Sequence, residues 1–472
     1  MNALLLLVPI AFHGLGLVSS IDAVMSTRTP QGAVAWAVFL NTFPYLAVPA
    51  YWILGRSRFR GYVDARQDTS TSLARKLEGH ARRRYALASG IRQERGTTPA
   101  ERVAGMPYVR GNRLDLLIDG DATFASILGG LDRARDYILF QFFILKDDRI
   151  GQKVKHHLTE RARAGIRVHV LYDEVGSHSL PRRYLRELRE AGVQVFAFNT
   201  RKGPRNRFQI NFRNHRKLVV VDGKEAWLGG HNVGDEYMGE DPRFGRWRDT
   251  HLHIVGPAAV EAQLAFAEDW YWATDEALEL DWTPVPSSDG DAEVLVLPTG
   301  PADPLETAAL MFTYAINSAE QRLWLATPYF VPDEGLMNAL LIAGLRGVDV
   351  RVLIPDKPDH LPAYLAAFAY QSRSAETGVR FFRYTDGFLH QKVFIVDDRL
   401  AAIGSANFDN RSFRLNFEIT ALVKDADFVG RVHEMLEADF ERSTPMPPDT
   451  FVSKPFWFRL AANVARLTAP VQ

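Results

Sequence analysis

Two long uncharged apolar stretches stand at the start of the chain. No charged residue occurs in residues 1–21 or 29–55, and the polar segment 22–28 separates them. A helix needs about 20 apolar residues to cross a bilayer. The pattern therefore predicts two transmembrane helices within residues 1–58. The alternative is a cleaved signal peptide followed by one anchor, but no basic residue precedes the first apolar run.

Basic residues follow the second apolar stretch. The segment between the stretches offers only Arg28, whereas three arginines come directly after the second one: Arg56, Arg58 and Arg60. The positive-inside rule then predicts a multi-pass membrane protein with the remaining chain in the cytoplasm. Residues 59–110 are predicted as a basic juxtamembrane linker, which is either a solvated helix or a segment attracted to anionic headgroups.

From residue 111 onwards, apolar strands alternate with helical runs. Strands are predicted in the first half at residues 137–145, 168–173, 193–198, 217–222, 226–229 and 251–256. The second half repeats this order after a lag of about 175 residues, at residues 323–331, 350–356, 379–384, 392–397, 401–404 and 418–423. Continuous apolar strands separated by helices are typical of a sheet covered on both faces.

The repeat predicts an α/β fold with two pseudo-symmetric α/β sandwich lobes. The first lobe is assigned to residues 111–280 and the second to residues 300–445, with a Pro- and Gly-rich linker over residues 280–304. Residues 446–472 form an amphipathic basic tail that contains no acid after residue 449. This tail suits a helix lying on an anionic membrane, and a helix docked on the lobes fits the same pattern.

Composition narrows the function classes. The chain has 47% apolar and 24% charged residues, as a folded protein does, and no cysteine. Disulfides, thiolate metal sites and a cysteine nucleophile are thereby excluded. Equal numbers of basic and acidic residues, 56 of each, argue against a general nucleic-acid binder. His251 and His253 share a strand face, but only Asp249 accompanies them, so no metal site is predicted.

A short polar motif occurs once in each half. Residues 215–222 and 390–397 both fit the pattern H-x-K-x-x-x-x-D, and each is followed by a small turn that ends in asparagine. One copy is a weak signal, but two copies at equivalent places predict one shared site. The residues concerned are His215, Lys217, Asp222, Asn232, His390, Lys392, Asp397, Ser405 and Asn407.

The residue types suit phosphoryl chemistry. On a strand, the histidine and the lysine of each motif point to the same face, and the aspartate points away and is assigned a structural role. Lysine supplies fixed charge for phosphate oxygens, and the turn residues supply hydrogen bonds to the charge that builds on phosphorus. One imidazole can attack phosphorus to form a phosphohistidine, while the other protonates the departing alcohol and later deprotonates the incoming one.

The paired motifs resemble those of the phospholipase D superfamily. The N-terminal apolar pair, residues 247–251 and 404–412 and the tail resemble more specifically the bacterial cardiolipin synthases, over nearly the whole chain. The resemblance implies catalysis without metal or cofactor by His, Lys and Asn from each lobe. It also implies a carboxylate downstream of each histidine that orients its imidazole: Asp249 in the first lobe and Glu418 in the second. Gly230 stands where the second lobe has Ser405.

The implied reaction joins two phosphatidylglycerol molecules into cardiolipin and releases glycerol. By family analogy His215 is the nucleophile and His390 is the general acid and base. The expected partners are phosphatidylglycerol and anionic membrane lipids, with no nucleic acid. A hydrolytic phospholipase D, or a synthase that takes phosphatidylethanolamine as donor, stays open as an alternative. The apolar stretches and the neutral charge disfavour a nuclease, and two complete motifs disfavour an inactive scaffold.

Overall fold

A computed structural model describes residues 3–27, 29–55, 62, 98–198, 211–374 and 376–469. The arginines after the second apolar stretch lie outside these residues. Most of the predicted basic linker also lies outside them, since only residue 62 and the part from residue 98 are described.

The N-terminal residues form a helical hairpin: α1 (Ala3–Ser26), α2 (Pro30–Thr42), α3 (Pro44–Ala50) and a π-helical turn (Tyr51–Gly55). Within the described part of the chain, one helix, Leu7–Ser26, is long and apolar enough to cross a bilayer. The second predicted span is not one continuous helix, because the backbone leaves helical geometry at Phe43 (φ −130°, ψ 55°). Pro44 causes this break, since proline disfavours the α conformation of the residue before it.

Polar side chains join the two arms of this hairpin. The Asn41 amide donates to Ser20 Oγ at 2.7 Å, and the Tyr51 hydroxyl donates to Asp22 at 2.7 Å. Polar groups that would be costly to expose to lipid are therefore satisfied between the arms.

The remaining described chain is a mixed α/β structure, as the sequence predicts. The strands of its first half are β1 (Val109–Ile118), β2 (Tyr137–Phe142), β3 (Arg167–Asp173), β4 (Gln194–Phe198), β5 (Arg213–Asn214), β6 (Leu218–Val221), β7 (Glu225–Gly229), β8 (Trp247–Arg248) and β9 (Thr250–Val255). Those of its second half are β10 (Ala292–Thr299), β11 (Arg322–Ala326), β12 (Phe330–Val331), β13 (Asp349–Pro355), β14 (Arg380–Tyr384), β15 (Phe388–Leu389), β16 (Val393–Val396), β17 (Leu400–Gly404), β18 (Phe408–Asp409), β19 (Asn416–Lys424) and β20 (Ser443–Met446).

Helices cover the sheet. They are α4 (Pro99–Ala104), α5 (Asp119–Arg133), α6 (Arg149–Arg163), α7 (Arg182–Glu190), α8 (Ala258–Thr274), α9 (Thr307–Ser318), α10 (Glu334–Leu345), α11 (Leu361–Arg373), α12 (Asn410–Arg414), α13 (Ala426–Glu441) and α14 (Phe456–Leu467). Strand β2 is buried along its whole length, which explains why five of its six residues are apolar or aromatic.

Among the described residues, one continuous sheet of 16 strands runs through both halves, in the order β20-β14-β13-β11-β16-β17-β19-β10-β1-β9-β7-β6-β2-β3-β4, with β5 added beside β19. The linker predicted over residues 280–304 is therefore wrong in part, because Ala292–Thr299 is a central strand that pairs with β1 and β19. Outward from the β10–β1 pair, the strands on the two sides follow the same order relative to the chain: β19, β17, β16, β11, β13, β14 on one side and β9, β7, β6, β2, β3, β4 on the other.

The predicted C-terminal tail contains a helix that docks on the second half. Ala462 and Ala465 of α14 are buried, and the Phe458 ring lies 5.0 Å from that of Phe368 on α11. The opposite face leaves large apolar side chains exposed: Phe456, Trp457, Leu460, Val464 and Leu467. Docking and an exposed apolar face thus coexist in one helix.

Candidate active site

Each motif histidine is held by a short strand that pairs with the other half of the chain. Strand β5 runs parallel to the start of β19, and the His215 amide donates to Phe417 O at 2.9 Å. Strand β15 runs parallel to β8, and the His390 amide donates to Arg248 O at 2.8 Å. The residue after each acceptor is a carboxylate, Glu418 or Asp249, so this pairing brings each histidine beside the carboxylate of the other half.

Each imidazole forms its hydrogen bond with the carboxylate of the other half of the chain. His215 Nδ1 lies 2.9 Å from Glu418 Oε2, and His390 Nδ1 lies 2.7 Å from Asp249 Oδ2. The expectation that each carboxylate orients the histidine of its own lobe is therefore wrong. Both carboxylate side chains are fully buried, with 0% exposure. A buried carboxylate that accepts from Nδ1–H leaves Nε2 unprotonated and able to attack or to accept a proton.

Burial and neighbouring charges favour neutral imidazoles. Burial, together with repulsion from Lys217 and Lys392, lowers the pKa of His215 to about 4 despite the attraction of Glu418. Burial, followed by Lys392, Lys217 and His215, lowers the pKa of His390 well below its usual value. Each histidine thus lies in the field of the lysine from the other motif, so the two motifs share one site.

The two lysines are buried as an electropositive pair. Lys217 is fully buried and its ammonium donates to His215 O at 2.6 Å. The Lys392 ammonium donates in the same way to His390 O. Burial lowers the pKa of Lys392 to about 8, and burial with repulsion from Lys392 lowers that of Lys217 well below its usual value. Two buried ammonium groups that repel each other favour a bound anion.

The small turns support the carboxylates. Ser405 Oγ donates to Glu418 Oε2 at 2.5 Å, so this hydroxyl positions the carboxylate of His215. At the equivalent place Gly230 leaves room for the shorter Asp249, because a Cβ on Gly230 would lie 2.0 Å from Asp249 Oδ1. The missing hydroxyl in the first turn is thus matched by a carboxylate that fills its space.

The predicted phosphate-binding asparagines have different surroundings. Asn232 is buried, accepts from the Ile144 amide at 3.1 Å and donates to the Tyr237 hydroxyl at 2.9 Å. Asn407 is buried as well, and among the described residues no group bonds to its Oδ1. Its amide nitrogen lies 3.4 Å from Asp409, at the limit of hydrogen bonding.

The motif aspartates lie in tight turns away from the imidazoles. Asp222 and Asp397 adopt left-handed backbone conformations, with φ of 52° and 51°. Asp222 accepts from the backbone amides that precede and begin β2, and Asp397 does so from those that precede and begin β11. This geometry agrees with the structural role given to them above.

The residues that anchor the motifs from behind were not predicted from the sequence. The residue between the histidine and the lysine of each motif bonds an aspartate on a helix: Arg216 bonds Asp269 of α8 at 2.8 Å, and Gln391 bonds Asp439 of α13 at 2.7 Å. Each of these aspartates lies among the buried, mostly apolar positions of its helix, and this is the signal that marks it. Asn416 also escaped notice; it donates to Glu418 Oε1 at 3.0 Å from two residues earlier in the same strand.

Aromatic rings line both histidines. The Phe143 ring lies 4.9 Å from that of His215, and the Trp247 ring lies 5.0 Å from that of His390.

His253, considered above for metal binding, lies instead between Asp115 and Glu225 and stacks on Trp227. Within the ranges that the structure covers, no group of three His, Asp or Glu side chains could hold a metal ion.

Comparison with known proteins identifies close relatives. A family model described as cardiolipin synthase, PLD-like domain, matches residues 127–242 and 312–442, and one described as phospholipase D-nuclease N-terminal matches residues 14–56. The chain is 47% identical over 461 residues to cardiolipin synthase A of Pseudomonas aeruginosa, covering 97% of this chain and 94% of the relative. It is 46% identical over 465 residues to cardiolipin synthase A of Pseudomonas putida, covering 97% and 96%.

Two solved structures are similar in fold. A phosphatidylserine synthase of Haemophilus influenzae has a TM-score of 0.59 at 14% identity and covers 79% of this chain and 100% of its own. A polyphosphate kinase of Porphyromonas gingivalis has a TM-score of 0.50 at 13% identity and covers 76% of this chain and 54% of its own. At these identities the likeness concerns the fold alone.

Proposed function

The chain belongs to the bacterial cardiolipin synthases of the phospholipase D superfamily, and we propose that it transfers a phosphatidyl group from one phosphatidylglycerol to another, giving cardiolipin and glycerol. The observation that carries this proposal is the pair of buried histidines, each with a carboxylate of the other half at Nδ1 and both in the field of two buried lysines. Such a site suits an anionic diester that must form and lose a covalent bond to nitrogen.

The proposed reaction has two displacements. In the first, His215 Nε2 forms a bond to phosphorus, the bond from phosphorus to the glycerol oxygen breaks, and His390 gives its proton to that oxygen. In the second, His390 takes the proton of a terminal hydroxyl of another phosphatidylglycerol. That oxygen then bonds to phosphorus and the bond to His215 breaks. Glu418 stabilises the positive charge on His215, and Asp249 does so for His390.

The lysines and the turns complete the proposed site. Lys217 and Lys392 bind the phosphate oxygens, and Asn232 and Asn407 supply amides around them. The charge of the bound phosphodiester favours the protonated form of His390, which the empty site disfavours. Binding of substrate and loading of the general acid are thereby coupled.

The test is a product analysis with one substrate. Purified enzyme in detergent is incubated with phosphatidylglycerol that carries label in the headgroup glycerol and in the acyl chains. Cardiolipin and free glycerol in equal amounts are expected. Phosphatidic acid as the main product would assign the chain to the hydrolases. Cardiolipin formed only after phosphatidylethanolamine is added would assign that lipid as the donor.

We also propose that the N-terminal hairpin crosses the cytoplasmic membrane twice and leaves the catalytic part in the cytoplasm. Support comes from the apolar helix Leu7–Ser26 and from the polar bonds that hold the second stretch against it. The arginines that follow the stretch support the orientation. A reporter fused after Arg60 is expected to be active only in the cytoplasm, and periplasmic activity would refute the topology.

We propose further that the catalytic part arose from two equivalent lobes. The matched strand order about the β10–β1 pair, the two left-handed motif aspartates and the exchange of carboxylates support this. Because each histidine takes its carboxylate from the other lobe, neither lobe alone carries a complete pair. Separately expressed halves are expected to be inactive and to regain activity on mixing if they reassemble; activity of one half alone would refute the shared site.

A further inference from the structure

A small cleft opens in the second half of the chain beside the site. Its lining includes Tyr329, Phe330, Pro358, Asp359, His360 and Tyr364. Its walls are largely apolar, and the Tyr329 hydroxyl donates to Asp359 across it.

The cleft adjoins the His390 side of the site. The strand that follows Tyr329 pairs with Phe408–Asp409, directly after Asn407, and Thr327 Oγ1 binds the Phe408 amide at 3.0 Å. Asp359 acts electrostatically on Lys392 and on Tyr237, whose ring lies 6.0 Å from that of His390. A headgroup in the cleft therefore has its phosphate end within reach of the motif residues.

The strand register shows which residues of the first half correspond to Tyr329 and Asp359. Leu145 bridges Val233 just as Phe330 pairs with Phe408, so Ile144 corresponds to Tyr329. The pairings of β2 with β3 and of β11 with β13 likewise make Ser177 correspond to Asp359.

The hydroxyl of Ser177 already forms hydrogen bonds with the backbone. Its hydroxyl donates to Phe143 O and accepts from the Leu145 amide, both at 3.0 Å. Phe143 packs directly on Gly176, where a Cβ would meet its ring at 2.7 Å. Among the described residues, the matching positions in the first half thus hold Ile144 and a bonded Ser177 in place of the tyrosine and the carboxylate.

We propose that Tyr329 and Asp359 bind the two free, vicinal hydroxyls of the donor's glycerol headgroup in the first displacement, when glycerol leaves. A carboxylate accepts hydrogen bonds from two neighbouring hydroxyls, and a tyrosine hydroxyl both donates and accepts. Burial and the adjacent Asp359 raise the pKa of Tyr329 well above its usual value, so it keeps its proton.

This assignment rests on the proposed function and deepens it. In the first displacement the glycerol oxygen that gains a proton faces the general acid, and the other two hydroxyls of that glycerol are free to bind the pair. In the second displacement one of the two hydroxyls of the incoming phosphatidylglycerol is itself the nucleophile, so the diol site acts on the departing glycerol. Tyr329 and Asp359 are specificity residues that act on the part of the headgroup that does not react.

The test compares two donors that differ only in the leaving group: phosphatidylglycerol and phosphatidyl-p-nitrophenol. Asp359→Asn and Tyr329→Phe are expected to lower kcat/KM for phosphatidylglycerol by about 10-fold or more, the effect of a lost hydrogen bond to a charged group. The burst of p-nitrophenol, which needs only the first displacement, is expected to keep its rate within about twofold, because this leaving group has no diol for the pair to bind. Asp449→Asn, an exposed residue of the same half, is the matched control and is expected to change neither activity.

Three results would overturn the assignment. An equal loss with both donors in both variants would make the pair structural. No loss with either donor would leave it without a role. A loss confined to phosphatidylethanolamine, with ethanolamine released in preference to glycerol, would make Asp359 a site for an ammonium group. The comparison is independent of the fate of the phosphatidyl group: if the wild type yields phosphatidic acid, the proposed function fails, yet the dependence on the diol can still be measured.

Discussion

Asp249→Asn separates the two histidines experimentally. Asp249 Oδ1 accepts from the Thr250 amide at 2.8 Å, while Oδ2 faces His390 Nδ1 at 2.7 Å. In the asparagine variant the Thr250 N–H fixes the carbonyl oxygen at the first position, so the NH₂ group faces Nδ1. The imidazole must then accept there and carry its proton on Nε2. A neutral imidazole in this tautomer cannot accept the proton of the incoming alcohol.

The expected magnitude follows from these contacts. Loss of a hydrogen bond to a charged group costs about 1.5–3 kcal/mol, or about 10- to 150-fold in rate. Reversal of the tautomer adds to this: in the serine-protease triad, the corresponding Asp→Asn change lowers kcat by about 10⁴. We therefore expect cardiolipin formation by Asp249→Asn to fall by about 10² to 10⁴. Glu418→Gln is expected to fall by at least about 10-fold, since Gln keeps an oxygen for Asn416 and His215.

The assay distinguishes the steps by the leaving group. p-Nitrophenolate leaves without a proton, so the first displacement from phosphatidyl-p-nitrophenol needs the nucleophile and not the acid. With the carboxylates exchanged between halves, and with His215 as nucleophile, Asp249→Asn should release p-nitrophenol in a burst of about one equivalent and then stop. Glu418→Gln should slow the burst itself. Asp449→Asn serves again as the exposed control.

The opposite pattern would refute this reasoning. A normal burst in Glu418→Gln and none in Asp249→Asn would mean that Asp249 serves the nucleophile. Either His390 is then the nucleophile or each carboxylate serves its own lobe. The p-nitrophenol burst of His215→Ala and His390→Ala decides between these, because only the variant that lacks the nucleophile gives none. Melting curves show whether either variant has lost its fold.

Three further predictions concern the same groups. His215→Ala and His390→Ala should each abolish turnover of phosphatidylglycerol, and substantial activity in either would contradict a shared site. Gly230→Ser should abolish activity and lower stability by about 1–3 kcal/mol, since the new Cβ would meet Asp249 at 2.0 Å, whereas Ser405→Gly should keep measurable turnover. The melting temperature should fall as the pH drops from 6.5 to 4. Burial lowers the pKa of His169 and His215 to about 4 and of His231 and His251 to about 3, so the unfolded chain binds more protons than the folded chain in this pH range. His231→Asn should make the melting temperature depend less steeply on pH.

Local patterns predicted the elements of the fold well where each element is buried on its own. The run at residues 137–145 begins at the same residue as β2, and the run at residues 168–173 is β3 with one residue added. Strand β10 was missed, because its apolar run lies between Gly290 and Gly300 in a Pro-rich context. Its partners are β1 and β19, which lie more than a hundred residues away along the chain, so no local pattern shows that it is central.

The contacts within the site could not be predicted for the same reason, because they join residues that lie far apart along the chain. The motif residues could be found from their repetition, but the histidines do not lie on the strands that follow them: β6 begins at Leu218 and β16 at Val393, one residue after each lysine. The backbone of each histidine bonds instead to the other half. Spacing along the sequence therefore suggested that Glu418 serves His390, whereas pairing between β5 and β19 gives it to His215.

The exchange of carboxylates also explains why the two turns differ. Glu418 and Asp249 hold corresponding places, one residue after the acceptor of a histidine amide, but the glutamate is longer by one methylene. The longer side chain needs a second contact to be fixed, and Ser405 supplies it. The shorter side chain is fixed by contact with Gly230 and by the Thr250 amide. A serine at Gly230 would clash with Asp249, and a glycine at Ser405 would remove a hydrogen bond from Glu418. The four residues therefore act as two matched pairs. The asymmetry between the halves is thus present at the carboxylates before any substrate binds.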